Sequence, residues 1–506
     1  MKRLKQIFAM ALAMIMMLAM SVPAMADGAA ATGYTITITN ASGTYKAYQV
    51  FNGDLTLEDG QPILSNIAWG NGVTQFEYNG TSDAKGIAAY LAGQNETVAK
   101  EFAATAAANI IEADYTKEVT AGDGTATIND LPAGYYVILN SNVGKGESVS
   151  NFILQVTANQ TVNNKAEVPD FEKKLKDKND STGEVSDWQD SADYDIGDKI
   201  PFKLEGTVAS NYADYKGAYK FVFHDKEEDS LTFDPASVKV YVDNTEITNG
   251  YTVKTSGLTD GCTFEVVFEN LKNIESVGAN SKIRVEYEST LNDKAVLGNH
   301  GNVNKAKLEF SNNPTSTQGD VPTGETPWDN VIVFTYQIVV NKYANEVADN
   351  NKLTGAEFTL EKIMQDGSKK AIAVVKSEDG TKFTFKGLDD GKYVLTETKT
   401  PDKYNTIDPI TFTVTANHDI EWTTKDRAEV LTSLEGTDNN TIEEGKITFT
   451  ANNDKSGLST DIINKSGTIL PSTGGIGTRI FYIVGGVLMV GAAVLLIVKR
   501  RMSKEN

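Results

Sequence analysis

Apolar and polar positions alternate through most of this chain. From about residue 34 onward, short stretches rich in Val, Thr, Tyr and Phe are separated by Gly, Asn and Asp turns. Period-two patterning of this kind predicts half-buried strands, and many short strands in succession predict β-sandwiches. One segment breaks the pattern. Residues 82–112 are Ala-rich, with Ser82 and Asp83 as cap signals, which predicts one or two helices interrupted near Gly93. Continuous apolar runs close both ends. Lys2, Arg3 and Lys5 precede Ile7 to Val22 and then Ala24-Met25-Ala26, the layout of a cleaved secretory signal over residues 1–26. Ile480 to Val498 is long enough to span a bilayer, and Lys499-Arg500-Arg501 behind it marks a cytoplasmic end.

The ~450 residues between these ends predict about three domains. Pro169 interrupts an Asn- and Lys-containing stretch, and residues 311–328 are linker-like in Asn, Pro, Ser, Thr and Gly. The expected division is 27–165, 166–315 and 328–466, followed by a C-terminal segment 467–506. Thr127 to Ile138 aligns with Thr384 to Leu395, each reading as strand, Gly turn, strand. This repeat predicts a related sandwich in domains one and three.

Composition narrows the chemistry. The formal net charge is −21, and both terminal segments are net basic, so the processed chain is more acidic still. Nucleic acid and anionic lipid are poor partners for such a surface. A single cysteine, Cys262, precludes an internal disulfide, and three scattered histidines (His224, His300, His418) argue against a His-based metal site or a catalytic triad. No metal and no cofactor is implied.

Strand parity exposes charged residues where core is expected. Phe334, Tyr336, Ile338 and Val340 share a face with Lys342; Tyr393 and Leu395 share one with Glu397; Leu458 and Ile462 share one with Asn464. In the second domain Phe171, Lys173 and Leu175 form such a face, as do Phe221, Phe223 and Asp225, and Asn304, Ala306, Leu308 and Phe310. Lys174 is adjacent to Lys173, and a bulge would exchange the two. Unpaired buried charges are costly, so these sets require a joint explanation.

Three motifs carry a family resemblance. Leu470-Pro471-Ser472-Thr473-Gly474, ahead of the apolar run and basic tail, resembles the LPXTG sorting signal of Gram-positive surface proteins. There a sortase cleaves after Thr and transfers its carbonyl to an amine. Tyr393 to Pro401 resembles the E-box of Gram-positive pilins, and Leu353 to Leu360 the collagen-adhesin B-type (CNA-B) domain that carries it. Glu172 to Asp177, Phe223-His224-Asp225 and Asn304 to Leu308 resemble the second domain of fimbrial backbone pilins. The resemblance implies tandem Ig-like/CNA-B-type sandwiches, mainly β, with the helical insertion in the first.

It further implies self-catalysed Lys–Asn isopeptide bonds: Lys342 to Asn464 with Glu397 as catalytic acid, and Lys173 to Asn304 with Asp225 in that role. Asn140 stands at the position of Glu397 in the first domain, where no such bond is expected although Lys46 lies in a strand-like segment. The folded, processed chain is therefore expected to be short by the mass of two ammonias. Transfer of Thr473 to a lysine of the next subunit would build a polymer; Lys165, at the first domain boundary, is the favoured acceptor, with Lys174 and Lys176 as rivals. The implied role is the shaft subunit of a covalent cell-surface pilus, with a wall-anchored or pilus-tip adhesin as the alternative and no enzymatic role. Implied partners are identical subunits, pilus-specific and housekeeping sortases, accessory pilins, peptidoglycan and host surface ligands, with the precursor held in the membrane by its C-terminal helix.

Overall fold

The computed structural model describes residues 33–58, 61–144, 146–164, 168–258, 260–314, 316, 322–423, 425–440, 446–467 and 476–502. The signal segment 1–26, Lys165 and residues 470–474 lie outside the described residues. The fold is mainly β: three sandwiches in series, each of two sheets closed over an apolar core.

In the first domain Tyr34–Thr39 runs antiparallel to Thr125–Leu131 and parallel to Gln160–Asn163. The second sheet is built on Thr44–Glu58, flanked by Gln61–Trp69 and Gly134–Ser141. Two helices, Ala84–Leu91 and Glu96–Ala108, cover its outer face. Asp83 caps the first by accepting from the Gly86 N–H, and Asn95 caps the second through Val98. Phe102 of the second helix lies on Phe51 (ring centroids 5.8 Å apart), so the insertion brings its own small core.

The third domain repeats this plan. Tyr336–Ala344 runs antiparallel to Lys382–Leu388 and parallel to Gly457–Asn464, the last strand. In both domains the repeated strand–turn–strand unit carries the chain from one sheet to the other rather than forming a hairpin within one. The return glycine Gly391 has φ +139°, a conformation open to glycine alone.

In the middle domain the edge strand Phe171–Leu175 pairs with Lys199–Thr207, while Phe221–Glu227 and Asn302–Ser311 are neighbours in the opposing sheet. This domain extends past its expected end. Thr323–Glu325 pairs with Asn302–Ser311, and so does Asp329–Phe334. The strand Asp329–Phe334 is shared: it pairs with the middle domain's sheet, Val331 and Val333 pack in that domain's core, and Ile332 and Phe334 pack in the third's. Phe334 and Tyr336 keep one parity across Thr335, which makes two strands read as one. A further consequence is that Asn304 does not lie on the last strand of its domain, whereas Asn464 does.

The second and third domains meet through buried polar groups. Lys362 of the strand Glu357–Ile363 is fully buried and contacts Asp389, Asp195 (3.4 Å) and Asp180 (3.8 Å). Lys370 binds Asp195 (3.0 Å) and Asp198 (3.1 Å). The Asp389 N–H donates to Asp195 (3.0 Å), and the Asp390 N–H to Asp193 (2.9 Å). Across the same junction Arg427 grips Glu228 and donates to the carbonyls of His300 and Gly301.

Candidate functional site

Two buried constellations stand out, one in each of the second and third domains. In the third, Lys342 and Asn464 project from adjacent parallel strands, with Lys342 in register with Ile462 and Ala344 with Asn464. Glu397 reaches them from the facing sheet. Its Oε1 is 3.3 Å from Lys342 Nζ, and its Oε2 accepts from Asn464 Nδ2 at 2.9 Å. Thr400 and the Ile407 N–H also donate to Oε2 (3.3 and 3.2 Å), and Phe358 packs its ring beneath the lysine. Lys342 and Asn464 are fully buried. Burial, only partly offset by Glu397, lowers the lysine pKa to about 8, so the neutral amine is a minor but accessible form near neutrality. Lys342 Nζ, Glu397 Oε1 and Asn464 Oδ1 make no hydrogen bond. Buried polar atoms without hydrogen-bond partners call for an explanation, and three of them converging from a lysine, an acid and an asparagine suit a reactive set.

In the middle domain Lys173, Asp225 and Asn304 are all fully buried and come together across the sandwich. Lys173 Nζ lies 2.5 Å from Asp225 Oδ2 and donates to the Tyr287 hydroxyl at 2.7 Å. Tyr287 donates to Asp225 Oδ2 (2.7 Å) and accepts from Asn304 Nδ2 (2.9 Å). Glu227 Oε1 accepts from the same Asn304 Nδ2 at 3.3 Å and from Ser289. Burial lowers the Lys173 pKa and raises that of Asp225, favouring a neutral amine beside a protonated acid. Burial, then the charge of Asp225, raises Glu227 to about 8. Lys174 points the other way, to Asp190 (2.8 Å) and Glu421 (3.3 Å). No bulge exchanges the two lysines.

Tyr287 and Glu227 were not singled out from the sequence; parity places both on inward faces, a signal that marks the glutamate but not the tyrosine. Glu227 continues the inward face of Phe221, Phe223 and Asp225, and Tyr287 lies between Val285 and Ser289 on a strand whose alternate residues are buried. Lys362 escaped in the same way, following Phe358 and Leu360 on an inward face.

Among the described residues of the first domain there is no comparable set. Asn140 donates to the Ser42 carbonyl (2.7 Å) and accepts from the Ser150 N–H (3.4 Å), much as Glu397 accepts from Ile407. Lys46 is at the surface, paired with Glu112 at 3.0 Å. Among the described residues, the acids Asp180, Asp195, Asp198 and Asp389 lie close enough together to hold a cation. Lys362 and Lys370 supply that charge themselves.

At the C-terminus Ile476–Met502 is one helix, and Phe481–Arg500 within it has a mean hydropathy of 2.6. Residues 463–504 match the family of LPXTG cell wall anchor motifs, and residues 337–428 match the SpaA family, a prealbumin-like fold domain. The trypsin-resistant surface T6 protein of Streptococcus pyogenes serotype M6 is 26% identical over 460 residues, covering 75% of this chain and 81% of that protein. The solved structure of the T6 backbone pilin superposes with a TM-score of 0.53 at 20% identity, over 87% of this chain and all of the other. The chain shares the fold of a three-domain backbone pilin. With the anchor motif and apolar helix in order behind it, this pilin-like chain is a wall-anchored surface protein whose precursor is held in the membrane.

Proposed function

We propose that the chain is the shaft subunit of a sortase-assembled pilus, joined head to tail by covalent bonds and stiffened by two internal isopeptide bonds. The pairing of three sandwiches with an LPXTG segment carries this reading. Sortase would cleave after Thr473 and pass its carbonyl to a lysine of the next subunit. Lys165 is the acceptor we favour, because the strand Gln160–Asn163 delivers the chain to the domain boundary just ahead of it. Its rivals are engaged: Lys174 is held by Asp190 and Glu421, and the Lys176 ammonium sits 5.1 Å from the centre of the Trp188 ring.

Within each of the two domains, the buried amine would attack the Asn carboxamide and release ammonia. The bonds assigned are Lys342–Asn464, with Glu397 as acid, and Lys173–Asn304, with Asp225. A neutral amine is the nucleophile, and a carboxyl that reaches the carboxamide assists departure of nitrogen. Each link closes a loop on the order of 100 residues and stabilises by about 4–5 kcal/mol if it acts as a disulfide does. Pilus-specific sortase, accessory pilins and peptidoglycan are the partners this role requires.

Cell-wall extracts of the native host, run on a denaturing gel with a Lys165→Ala strain beside wild type, test the proposal. A high-mass ladder in wild type that collapses to monomer in the variant is expected. A ladder in both moves the junction to another lysine, and no ladder in wild type removes the shaft reading in favour of an anchored adhesin.

A further inference from the structure

The two candidate cross-linking centres are built differently. In the third domain one carboxyl does everything: Glu397 touches the lysine nitrogen with one oxygen and the asparagine nitrogen with the other. In the middle domain the acid is an aspartate, one methylene shorter. Both of its contacts, to Lys173 and Tyr287, fall on Oδ2, and its Oδ1 has no hydrogen-bond partner, so it makes none with Asn304. The Asn304 carboxamide instead faces the Tyr287 hydroxyl and the Glu227 carboxyl. Either rotation of that carboxamide presents the same two groups to it.

We propose that proton handling in the middle domain is divided, with Asp225 serving the Lys173 amine, Glu227 serving the departing nitrogen of Asn304, and Tyr287 bridging the two. This rests on the reading that Lys173 and Asn304 react. The Lys173 ammonium gives one proton to Asp225, and the freed lone pair attacks Asn304 Cγ. As the tetrahedral carbon collapses, Glu227 protonates Nδ2 and the Cγ–Nδ2 bond breaks. The second proton lost by Nζ passes through the Tyr287 hydroxyl, which touches both nitrogens, to the departing nitrogen, which returns one proton to Glu227 beside it. Ammonia takes up the proton held by Asp225 and leaves as ammonium. The products are one Nζ–Cγ amide and one ammonium ion, with both carboxyls returned to their starting states.

The surroundings suit these roles. Glu227 Oε2 is buried without a partner, and burial holds the carboxyl protonated near neutrality, since its pKa is raised to about 8. Tyr287 is pushed far above its ordinary pKa, mainly by burial, so its hydroxyl keeps the proton needed for relay. The ring is fixed by stacking on Phe202 (5.3 Å) and by edge contact with Phe264 (4.9 Å).

The test uses the full processed chain as wild type, Glu227→Gln, Glu227→Asp and Tyr287→Phe. The fraction carrying each cross-linked peptide is followed by mass spectrometry after synthesis, with Lys342–Asn464 in the same molecule as internal clock and proof of folding. We expect Glu227→Gln to slow the Lys173–Asn304 bond about 100-fold or more, Glu227→Asp to restore part of the rate, and Tyr287→Phe to slow it as well. The clock bond should be unchanged in all three. In wild type the rate should fall as pH rises through about 8, and Glu227→Gln should flatten that fall. Wild-type rate and pH profile in Glu227→Gln would overturn the proposal. Absence of the Lys173–Asn304 peptide from wild type itself would overturn the underlying reading instead.

Discussion

At the scale of single residues, the account turns on a few charges that a sandwich core would not hold without a use for them. Glu397→Gln removes the proton donor while preserving shape. The intact mass of the folded chain should then be short by one ammonia instead of two, and the third domain should lose about 4–5 kcal/mol of stability in thermal or denaturant unfolding. A deficit of two in that variant would show that Glu397 is not the acid. The pH dependence has a definite sign. Burial lowers the Lys342 pKa to about 8, so the reactive neutral amine is gained as pH rises through that value. Bond formation in the third domain should accelerate over that range, in contrast to the middle domain. The burial of Lys342, Glu397 and Asn464 was legible in the sequence because each breaks a period-two pattern, and that of Lys173, Asp225 and Asn304 for the same reason. Tyr287 was not, since a tyrosine at an inward position looks like ordinary core until its neighbours across the sandwich are known.

At the scale of elements, the repeated strand–turn–strand unit predicted the kinship of the outer domains, and the observed pairings of Tyr34–Thr39 and Tyr336–Ala344 match strand for strand. The unit itself crosses between sheets. Local pattern specifies strands and turns but says nothing of which edge a strand joins. The same limit hid how the second boundary is built, because Thr323–Glu325 and Asp329–Phe334 add to a sheet whose partner strand, Asn302–Ser311, precedes the linker-like stretch. The first domain has Asn140 where the third has Glu397, and its Lys46 is solvent-paired. Without a covalent tie it should be the first to yield. Limited proteolysis at rising temperature should cut within residues 33–164 while the remaining two domains stay intact, and equal resistance of all three would contradict this.

At the scale of the molecule, the chain is a row of sandwiches whose second junction is built on buried ion pairs. Lys362 carries much of that junction, because Asp389, Asp195 and Asp180 all turn toward it. Parity on its own strand places Lys362 inward, but its partners were not legible, since Asp180 and Asp195 belong to the second domain and Asp389 to the third. Lys362→Met would strand buried carboxylates and should cost about 3–5 kcal/mol, read as a lowered unfolding temperature of the third domain. Burial raises Asp390 to about 6 and Asp193 and Asp389 in the same direction, from an ordinary value of 3.8. Raised acids bind protons more tightly in the folded state, so these three, outnumbering Asp195, whose pKa is lowered because Lys362 and Lys370 outweigh its burial, should make the junction lose stability as pH rises through about 6 and regain it on mild acidification. A melting temperature that rises between about pH 5 and about pH 7 would contradict that sign.

The central claim is that subunits are welded through Thr473 and individually locked by internal amides. Purified surface fibres, digested and sequenced by mass spectrometry, test it most directly. The account predicts a branched peptide in which the Thr473 carbonyl is bonded to the Lys165 side chain, together with the Lys342–Asn464 and Lys173–Asn304 peptides. Recovery of Thr473 only on cell-wall peptide, with all four internal side chains free, would contradict it.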